Sequence, residues 1–366
     1  MKKKLLALLV CVAMMAVALI GCGSNGGEEE EGLNVAVFYY TYSDAYIASV
    51  RSALDAEFEK AGIEFQNYDC NNDQKTQNEQ IDTAIQKGAN LLVVNLVTTS
   101  SVDSSSAIVE KAKTEGIPVI FFNRAVEDKT EGEVLGSYDK CAFVGTDAPE
   151  AGHLQGKMIG DYVLANYDAI DLNGDGQISY AMFMGELGNA EAIFRTQYGV
   201  EDADAVLTAA NKPALVYFDA ANTDKYQVDQ TGSWSTAAAL DYMNTNLSQY
   251  NEQNGNMIEI VICNNDGMAE GVVSALNDKG YNTGEEGSKT IPVFGVDATP
   301  SAKALISAGK MTGTIKQDAE GMAAQICELA QNVADGKELL ANVSTGTASA
   351  TLANKIFIPY ATYTGE

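Results

Sequence analysis

Short apolar runs alternate with longer amphipathic segments along most of the chain, starting near Leu33. Runs rich in Val, Ile and Phe are typical of strands that are buried on both faces of a parallel sheet. Ten such runs occur, at residues 34–40, 64–70, 90–97, 118–123 and 142–147 and then at 178–185, 214–220, 258–266, 291–298 and 312–318. The pattern therefore predicts two successive sets of about five βα units.

The segments between these runs have helical periodicity. In "YIASVRSALDAEFEKAG" the apolar positions Ile47, Val50, Leu54 and Phe58 recur at helical spacing, and Gly62 is a helix stop signal. About 330 residues exceed what one hydrophobic core usually serves. We therefore predict an α/β protein with two Rossmann-like lobes, each a parallel sheet covered by helices.

Polar side chains follow many of the predicted strands, and ligands of such sheets bind beyond the carboxyl ends of strands. These positions are Asp44, Tyr46, Asn123, Arg124, Asn189, Glu191, Arg195, Asn264, Asn265, Asp266, Asp297 and Gln317. Amides, carboxylates and Arg suit paired hydrogen bonds to neighbouring hydroxyl groups. Each Asn or Asp alone is explained as well by a helix cap or a turn. Together they predict a cleft for a polar ligand.

The charge of the chain excludes one class of partner. The sequence has 23 Lys and Arg against 50 Asp and Glu, with a formal net charge of −27. So acidic a protein repels nucleic acid and anionic lipid heads. We therefore expect no nucleic acid partner.

The N-terminus has the features of an export signal. Lys2, Lys3 and Lys4 precede an apolar stretch from Leu5 to Ile20, and "LIGC" ends at Cys22. This end resembles the bacterial lipobox, which implies removal of residues 1–21 and lipid attachment to Cys22. The alternative is an uncleaved anchor, for which the apolar stretch is short. Residues 22–32 are Gly- and Glu-rich and predict a flexible tether. We expect an extracytoplasmic protein whose lipid anchor contacts the membrane.

Four further cysteines, Cys70, Cys141, Cys263 and Cys327, are widely spaced and form no CxxC pair. One disulfide is compatible with an exported protein, but the spacing assigns none. We expect buried free thiols.

The segment "DLNGDGQIS", residues 171–179, matches most of a calcium-binding loop. Asp171, Asn173, Asp175 and Ser179 provide oxygens at positions 1, 3, 5 and 9, and Gly176 provides the turn at position 6. Position 12 is Met182, where such a loop has a bidentate Glu. The pattern leaves open a calcium site completed from elsewhere in the chain and a plain Asp/Asn/Gly turn.

The chain resembles the bacterial galactose/glucose-binding proteins that feed sugar transporters, within the type I periplasmic binding proteins. The resemblance runs from about Leu33 to Tyr360 and is carried by "NDQKTQNEQID", "KGANLLVVNLV", "PVIFFN", "SYDKCAFVGTD", "DLNGDGQI", "IEIVICNNDGMAEG", "IPVFGVDA" and "ADGK". It implies two lobes joined by a three-segment hinge. Lobe 1 would hold residues 33–146 and 317–358, and lobe 2 residues 147–316 and 359–366.

The resemblance also implies a sugar site. A hexose would lie between two aromatic rings, Tyr46 and Trp234, because aromatic faces bury the C–H faces of a sugar. The other implied contacts are Asp44, Asn123, Asn189, Glu191, Arg195, Asn265, Asp297 and Gln317. Four positions depart from the family pattern: Asn189 replaces a His, Glu191 an Asp, Gln317 an Asn and Tyr46 a common Phe. The alternative for Trp234 is core packing, and for Arg195 a surface salt bridge.

For the loop at 171–179, the resemblance implies a structural calcium ion. The final carboxylate would come from Glu259 on a distant strand. The ligands would be Asp171, Asn173, Asp175, the carbonyl of Gln177, Ser179 and Glu259. Ser179 stands where the family commonly has Gln, so its short hydroxyl would reach the ion through a water.

The function implied by the resemblance is that of a monomeric, lipid-anchored binding protein, not an enzyme. It would deliver a glucose- or galactose-like monosaccharide to the membrane subunits of an ABC importer, with a chemoreceptor as a possible second partner. One alternative is a sugar sensor without transport. Another is a glycosidase, which needs two carboxyl groups across a bond; Asp44, Glu191 and Asp297 are the candidates. The export signal excludes a repressor of the same fold.

Overall fold

The structure is a computed structural model, and it describes residues 32–126 and 130–365. The predicted signal sequence, the lipid site at Cys22 and all of the predicted tether except Gly32 lie outside the described residues.

Strands and helices alternate along the described residues. The strands are β1 Asn34–Tyr39, β2 Glu64–Asp69, β3 Leu91–Val94, β4 Val119–Phe122, β5 Cys141–Gly145, β6 Ser179–Met184, β7 Val216–Tyr217, β8 Gln227–Val228, β9 Ile260–Cys263, β10 Val293–Asp297, β11 Gly313–Gln317, β12 Thr347–Ala348, β13 Lys355–Phe357 and β14 Tyr360–Tyr363. The helices are α1 Ala45–Ala61, α2 Gln74–Gln86, α3 Val102–Glu115, α4 Glu131–Gly136, α5 Ala148–Ile170, α6 Ala190–Ala209, α7 Thr236–Gln249, α8 Asp266–Asp278, α9 Pro300–Ser307 and α10 Ala319–Ala334, with a 3-10 turn at Glu252–Asn254. All ten predicted strands are present, although β7 has two residues instead of the predicted seven.

The strands form two sheets. The first has the order β12-β13-β5-β4-β3-β1-β2 and the second β14-β11-β10-β9-β6-β7, with β8 also paired to β6. We call the first sheet with its covering helices lobe 1 and the second sheet with its helices lobe 2. Both sheets are parallel except at one edge, where β12 pairs antiparallel with β13, and β14 with β11. The predicted fold class, two Rossmann-like lobes with parallel sheets, is therefore confirmed, and the antiparallel pairs lie only at these edges, whose strands are too short and polar to give an apolar run.

Each lobe has its own apolar interior. Strands β3, β4, β9 and β10 are buried along their whole length, as the Val- and Ile-rich runs predicted. Helix α1 is typical of the covering layer, since Ile47, Val50, Leu54 and Phe58 face the core of lobe 1. It begins after Asp44 and ends at Gly62, which adopts φ +69°.

The chain passes between the two sheets three times within the described residues: after β5, after β11 and between β13 and β14. Helix α10, which follows β11, packs its buried face into the core of lobe 1. Loops at the carboxyl ends of strands in both lobes therefore contribute to one shared region, described below.

Cys70, Cys141, Cys263 and Cys327 are buried and free, as predicted. Among the helices of the described residues, none combines the length and the apolar character that crossing a bilayer requires.

Helices α5 and α6 of lobe 2 pack with their backbones close together. A Cβ atom at Gly156 would lie 2.3 Å from the carbonyl oxygen of Tyr198 and 2.8 Å from Cβ of Asp202. Gly152, one turn earlier, has the same relation to the carbonyl oxygen of Phe194, at 2.4 Å. Only Gly permits this approach.

We predict that Gly156→Ala destabilises the protein. Ala is the better helix former, yet the added methyl group would meet backbone, and such overpacking costs about 1–3 kcal/mol. Urea unfolding measures the change. Gly136→Ala is the matched control, because a Cβ at Gly136 has no neighbour within 4 Å. Equal free energies of unfolding for the two variants would contradict the prediction.

Candidate functional site

A cavity with about 380 Å³ of empty space lies between the lobes at the carboxyl ends of their strands. Its walls are formed by Tyr40, Asp44, Tyr46, Asn123 and Arg124 of lobe 1 and by Asn189, Glu191, Arg195, Trp234, Asn265, Asp297 and Gln317 of lobe 2.

All ten side chains that the sequence analysis assigned to a sugar site lie in this wall. The wall also contains Tyr40 and Arg124, which were not assigned to the sugar site, although Arg124 was among the polar residues that follow the predicted strands. Both follow the rule that identified the others, since Tyr40 ends the first apolar run and Arg124 comes directly after Asn123. The shared cavity brings the ten residues together, while their contacts with a sugar stay a prediction.

Arg195 is the centre of the hydrogen-bond network on the lobe 2 side. It is 3% exposed, so its positive charge needs partners within the protein. One nitrogen, Nη2, donates to Glu191 Oε2 at 2.8 Å, Gln317 Oε1 at 3.1 Å and the Tyr360 hydroxyl at 2.8 Å, while Nη1 donates to the carbonyl of Asn264 at 2.9 Å. The surface salt bridge considered from the sequence is therefore excluded.

Burial by itself would lower the pKa of the Arg195 guanidinium. Tyr360, Glu191 and Asp297 outweigh that effect and raise the pKa above its ordinary value. Arg195, itself a residue of helix α6, is thus a permanent cation held against the ends of three strands of lobe 2.

Glu191 is held by the segments that connect the lobes. Its Oε1 accepts a hydrogen bond from Thr146 at 2.8 Å, directly after β5, and its Oε2 accepts one from Tyr360 at 2.8 Å, at the start of β14. The Tyr360 hydroxyl oxygen also lies 2.9 Å from the Thr146 hydroxyl oxygen. Both oxygens of Glu191 are therefore occupied by donors, so this residue links the cavity wall to two of the three crossing segments.

Two buried donors in the cavity wall lack an acceptor among the described residues: Nε of Arg195 and Nε2 of Gln317. Leaving a buried donor unpaired costs about 1–3 kcal/mol. Such groups call for an acceptor from outside the chain, and hydroxyl oxygens of a ligand would serve. The wall is therefore incomplete as a hydrogen-bond network until a polar ligand is added.

Three wall residues also cap helices. Asp44 Oδ1 accepts from the backbone N–H of Ile47 at 2.9 Å, and Asn189 and Asn265 cap α6 and α8 in the same way. Asp44 Oδ2 additionally accepts from the Tyr40 hydroxyl at 2.7 Å. The sequence left helix capping and ligand binding as alternative roles for these residues. In the structure the same side chain caps a helix and lines the cavity, and the capping hydrogen bond fixes its orientation towards the cavity.

The two aromatic candidates, Tyr46 of lobe 1 and Trp234 of lobe 2, are 5% and 8% exposed and line the same cavity. The indole of Trp234 lies on Gly185, where a Cβ would be 2.2 Å from the ring. Trp234 itself has φ +55°, an uncommon backbone conformation for a bulky residue. Strain of this kind concentrates at functional sites. Core packing alone therefore does not account for Trp234.

Asp297 and Asp266 form a buried carboxyl pair beside Arg195. Burial raises the pKa of Asp297 well above its ordinary value, and the neighbouring Asp266 adds to this. Burial likewise raises the pKa of Asp266 to about 7, although Thr314 and Thr299 donate hydrogen bonds to it. The pair therefore retains protons at pH values where free carboxyl groups are ionised.

The loop at 171–179 joins α5 to β6 and is folded around its own acidic side chains. Asp171 accepts hydrogen bonds from the backbone of Gly174 and Gly176 at 2.7 and 2.9 Å. Glu259, 1% exposed, accepts from the backbone of Leu172 and Ser179 at 2.8 Å each. The distant carboxylate thus lies against the loop.

The donor set of this loop suits a hard cation only in part. None of Asp171, Asp175 and Glu259 pairs with a Lys or Arg in the described residues, and burial raises the pKa of Glu259. This uncompensated acidity favours a cation. However, the Ser179 hydroxyl donates to the carbonyl of Met257 at 2.6 Å. Within residues 32–126 and 130–365 no three His, Cys, Asp or Glu side chains lie close enough together to hold a metal ion.

Comparisons with known proteins agree with the fold. A family model described as periplasmic binding protein domain matches residues 35–338. The D-galactose/methyl-galactoside binding periplasmic protein MglB of Haemophilus influenzae is 34% identical over 319 residues, covering 87% of this chain and 86% of that protein.

Two solved structures show the same fold. An ABC transporter solute binding protein of Clostridium phytofermentans with bound β-D-glucose has a TM-score of 0.69 at 21% identity, covering 91% of this chain and 94% of that one. One of Bacillus halodurans with bound myo-inositol has a TM-score of 0.67 at 23% identity, covering 91% and 95%.

The buried carboxyl of Asp266 gives the stability a pH dependence. Its pKa is raised from 3.8 to about 7, so the folded protein keeps a proton that the unfolded chain has lost. The resulting stabilisation is complete below the unfolded pKa and is lost as the pH rises towards 7.

We predict that Asp266→Asn reduces the fall in melting temperature between about pH 5 and about pH 8, because the amide cannot ionise. Differential scanning calorimetry of wild type and variant measures the two slopes. Asp278→Asn, at an exposed position of α8, is the control. A slope for Asp266→Asn equal to that of wild type would contradict the assignment.

Proposed function

The chain belongs to the periplasmic binding protein family, and we propose that it captures a monosaccharide between its two lobes for delivery to an ABC importer. The observation that carries this proposal is the wall of the shared cavity. Two buried donors without acceptors, Arg195 Nε and Gln317 Nε2, lie in the same wall as two aromatic rings from opposite lobes. A sugar offers hydroxyl acceptors at its rim and apolar C–H faces to the rings.

The sugar class that we propose is a glucose- or galactose-like hexose. Support comes from MglB of Haemophilus influenzae, named for D-galactose and methyl-galactoside, and from the solved structure with β-D-glucose. Another similar structure has bound myo-inositol, so we propose a class of ring-shaped polyols as ligands rather than one particular sugar. Asn189, Glu191 and Gln317 change the donors and lengths available to the hydroxyl groups, and such changes select between sugars.

Binding would act through the relative position of the lobes. Five wall residues belong to lobe 1 and six to lobe 2, while Gln317 ends β11 at the boundary between the lobes, so a sugar contacts both sets only when the lobes are close. It therefore shifts an open–closed equilibrium towards the closed form, which the importer's membrane subunits would recognise. Residues 33–146 with 317–358 and 147–316 with 359–366 are the two bodies that we propose to move.

The proposed place of action is outside the cytoplasm, as the family name implies. The lipobox-like segment supports anchoring through lipid on Cys22, and we propose that the protein acts as a monomer on the membrane surface. A chemoreceptor is a possible second partner. A sugar sensor without transport is the alternative function. Family membership supports a binding role over the glycosidase considered from the sequence.

For the loop at 171–179 we propose a structural calcium ion, held by Asp171, Asn173, Asp175, the carbonyl of Gln177 and Glu259. The uncompensated carboxylates support it. The Ser179 hydroxyl is engaged with Met257, so a water would fill its place. The ion would supply positive charge that joins the loop to the strand carrying Glu259, and it would take no part in sugar binding.

The sugar proposal predicts a change in fluorescence. Trp234 is the only Trp in the chain and lines the cavity, so at least one of D-glucose and D-galactose should change its emission. Asp297→Asn keeps the shape of the side chain but replaces one carboxyl oxygen, a hydrogen-bond acceptor, by an amide nitrogen that only donates, and should weaken affinity at least about tenfold. Asp278→Asn is the matched control. Unchanged affinity in Asp297→Asn, or no response of wild type to any monosaccharide, would contradict the proposal.

The calcium proposal predicts a loss of stability on chelation. A ligand that binds only the folded form at a hundred times its Kd contributes about 2.7 kcal/mol. EGTA should therefore lower the melting temperature of wild type, and added calcium should restore it. In Glu259→Gln the chelator should have little effect. Sugar affinity should be nearly the same with and without EGTA, and a large loss of affinity at constant melting temperature would refute a structural role.

A further inference from the structure

One ion pair joins the lobes directly beside the cavity. Arg124 follows β4 of lobe 1 and Glu186 follows β6 of lobe 2. Nη2 of Arg124 lies 2.9 Å from Oε2 and 3.0 Å from Oε1 of Glu186. The side chains are 4% and 18% exposed, so the pair is largely removed from water. Among the described residues, no other ion pair joins the lobes away from the segments that connect them.

Arg124 is oriented entirely by its own lobe. Its Nε donates to the carbonyl of Leu96 at 2.5 Å, and Nη2 donates to the carbonyl of Val97 at 2.8 Å. The guanidinium also lies over the ring of Tyr40, 4.1 Å from its centre. The cation is therefore already in place when lobe 2 approaches.

Glu186 is oriented by lobe 2 in the same way. Its Oε2 accepts a hydrogen bond from Nδ2 of Asn189 at 3.1 Å. Its aliphatic carbons lie against Gly232, where a Cβ would be 3.2 Å from Cγ of Glu186. Forming the ion pair thus orders few new side-chain torsions, which reduces the entropic cost of the contact. Glu186 is not part of the cavity wall.

We infer that the Arg124–Glu186 pair stabilises the closed arrangement of the lobes and slows the release of the ligand, with Glu186 acting as a positioning residue. This inference rests on the proposed function. The pair exists only when the lobes meet, because its partners are fixed on different lobes. Separating them transfers both charges to water, whereas removing one partner leaves the other charge buried and unpaired. Truncating such a pair acts mainly on dissociation.

A neutral contact supports the same geometry. Nδ2 of Asn72, in the loop after β2, donates to the carbonyl of Thr231 at 3.0 Å, in the loop that precedes Trp234. This contact also joins the lobes beside the cavity but, unlike the Arg124–Glu186 pair, carries no charge.

Stopped-flow fluorescence of Trp234 with D-glucose and D-galactose tests the inference. Glu186→Gln should raise the dissociation rate constant at least about tenfold with little change in association. Glu186→Asp retains the charge but not the reach, and should also accelerate release. Glu201→Gln, which removes one exposed charge from α6, is the control. Melting temperatures of the sugar-free variants should stay near that of wild type.

A double-mutant cycle separates the ion pair from the contact between Glu186 and Asn189. Arg124 lines the cavity, so Arg124→Gln should by itself accelerate release. Adding Glu186→Gln should then accelerate it no further, because the partner is already gone. Additive effects in the cycle, or release at the wild-type rate from Glu186→Gln, would overturn the inference.

The proposed sugar class and the inferred role of the Arg124–Glu186 pair can be disproved independently of each other. If wild type responds to neither sugar, the proposed sugar class is wrong, and small-angle X-ray scattering of the sugar-free proteins decides on the ion pair. Glu186→Gln should then have a larger radius of gyration than wild type and Glu201→Gln. Equal radii would overturn the inference.

Discussion

The need to compensate one buried cation organises the whole lobe 2 side of the cavity. The guanidinium of Arg195 donates to Glu191, Gln317, Tyr360 and the carbonyl of Asn264, and these partners come from four different elements. Removing any of them leaves a buried charge with fewer partners, which is costly. The same cation fixes Glu191 against Thr146 and Tyr360, and so relates the cavity to the segments that connect the lobes. Of the three guanidinium nitrogens, Nε alone has no partner among the described residues.

Separate parts of the molecule carry stability and binding. The loop at 171–179, with its proposed calcium ion, and the close packing of α5 against α6 lie within lobe 2 and would strengthen one body. The cavity, the Arg124–Glu186 pair and the Asn72 contact involve both lobes and depend on how far apart they are. A two-lobed binding protein needs different contacts for stability and for binding, because each lobe must keep its shape while the distance between the lobes changes.

Most of the fold and of the candidate site could be predicted from the sequence, because buried parallel strands give continuous apolar runs and their polar ends then follow. The edge strands β12, β13 and β14 were missed, since two to four residues that are mostly exposed or half-buried give no periodic signal. Arg124 was recognised as a strand-end residue, but its contact across the lobes could not be predicted because its partners, Glu186 and the carbonyls of Leu96 and Val97, are far away in sequence. Asp44, Asn189 and Asn265 both cap helices and line the cavity, and this double role could not be predicted from the sequence.

A crystal structure of the protein grown with the monosaccharide that gives the largest change in Trp234 fluorescence tests the central claim most directly. The account predicts a sugar ring between Tyr46 and Trp234, with hydroxyl oxygens accepting hydrogen bonds from Arg195 Nε and Gln317 Nε2. A sugar bound elsewhere, or one in this cavity that leaves both donors without an acceptor, would contradict it.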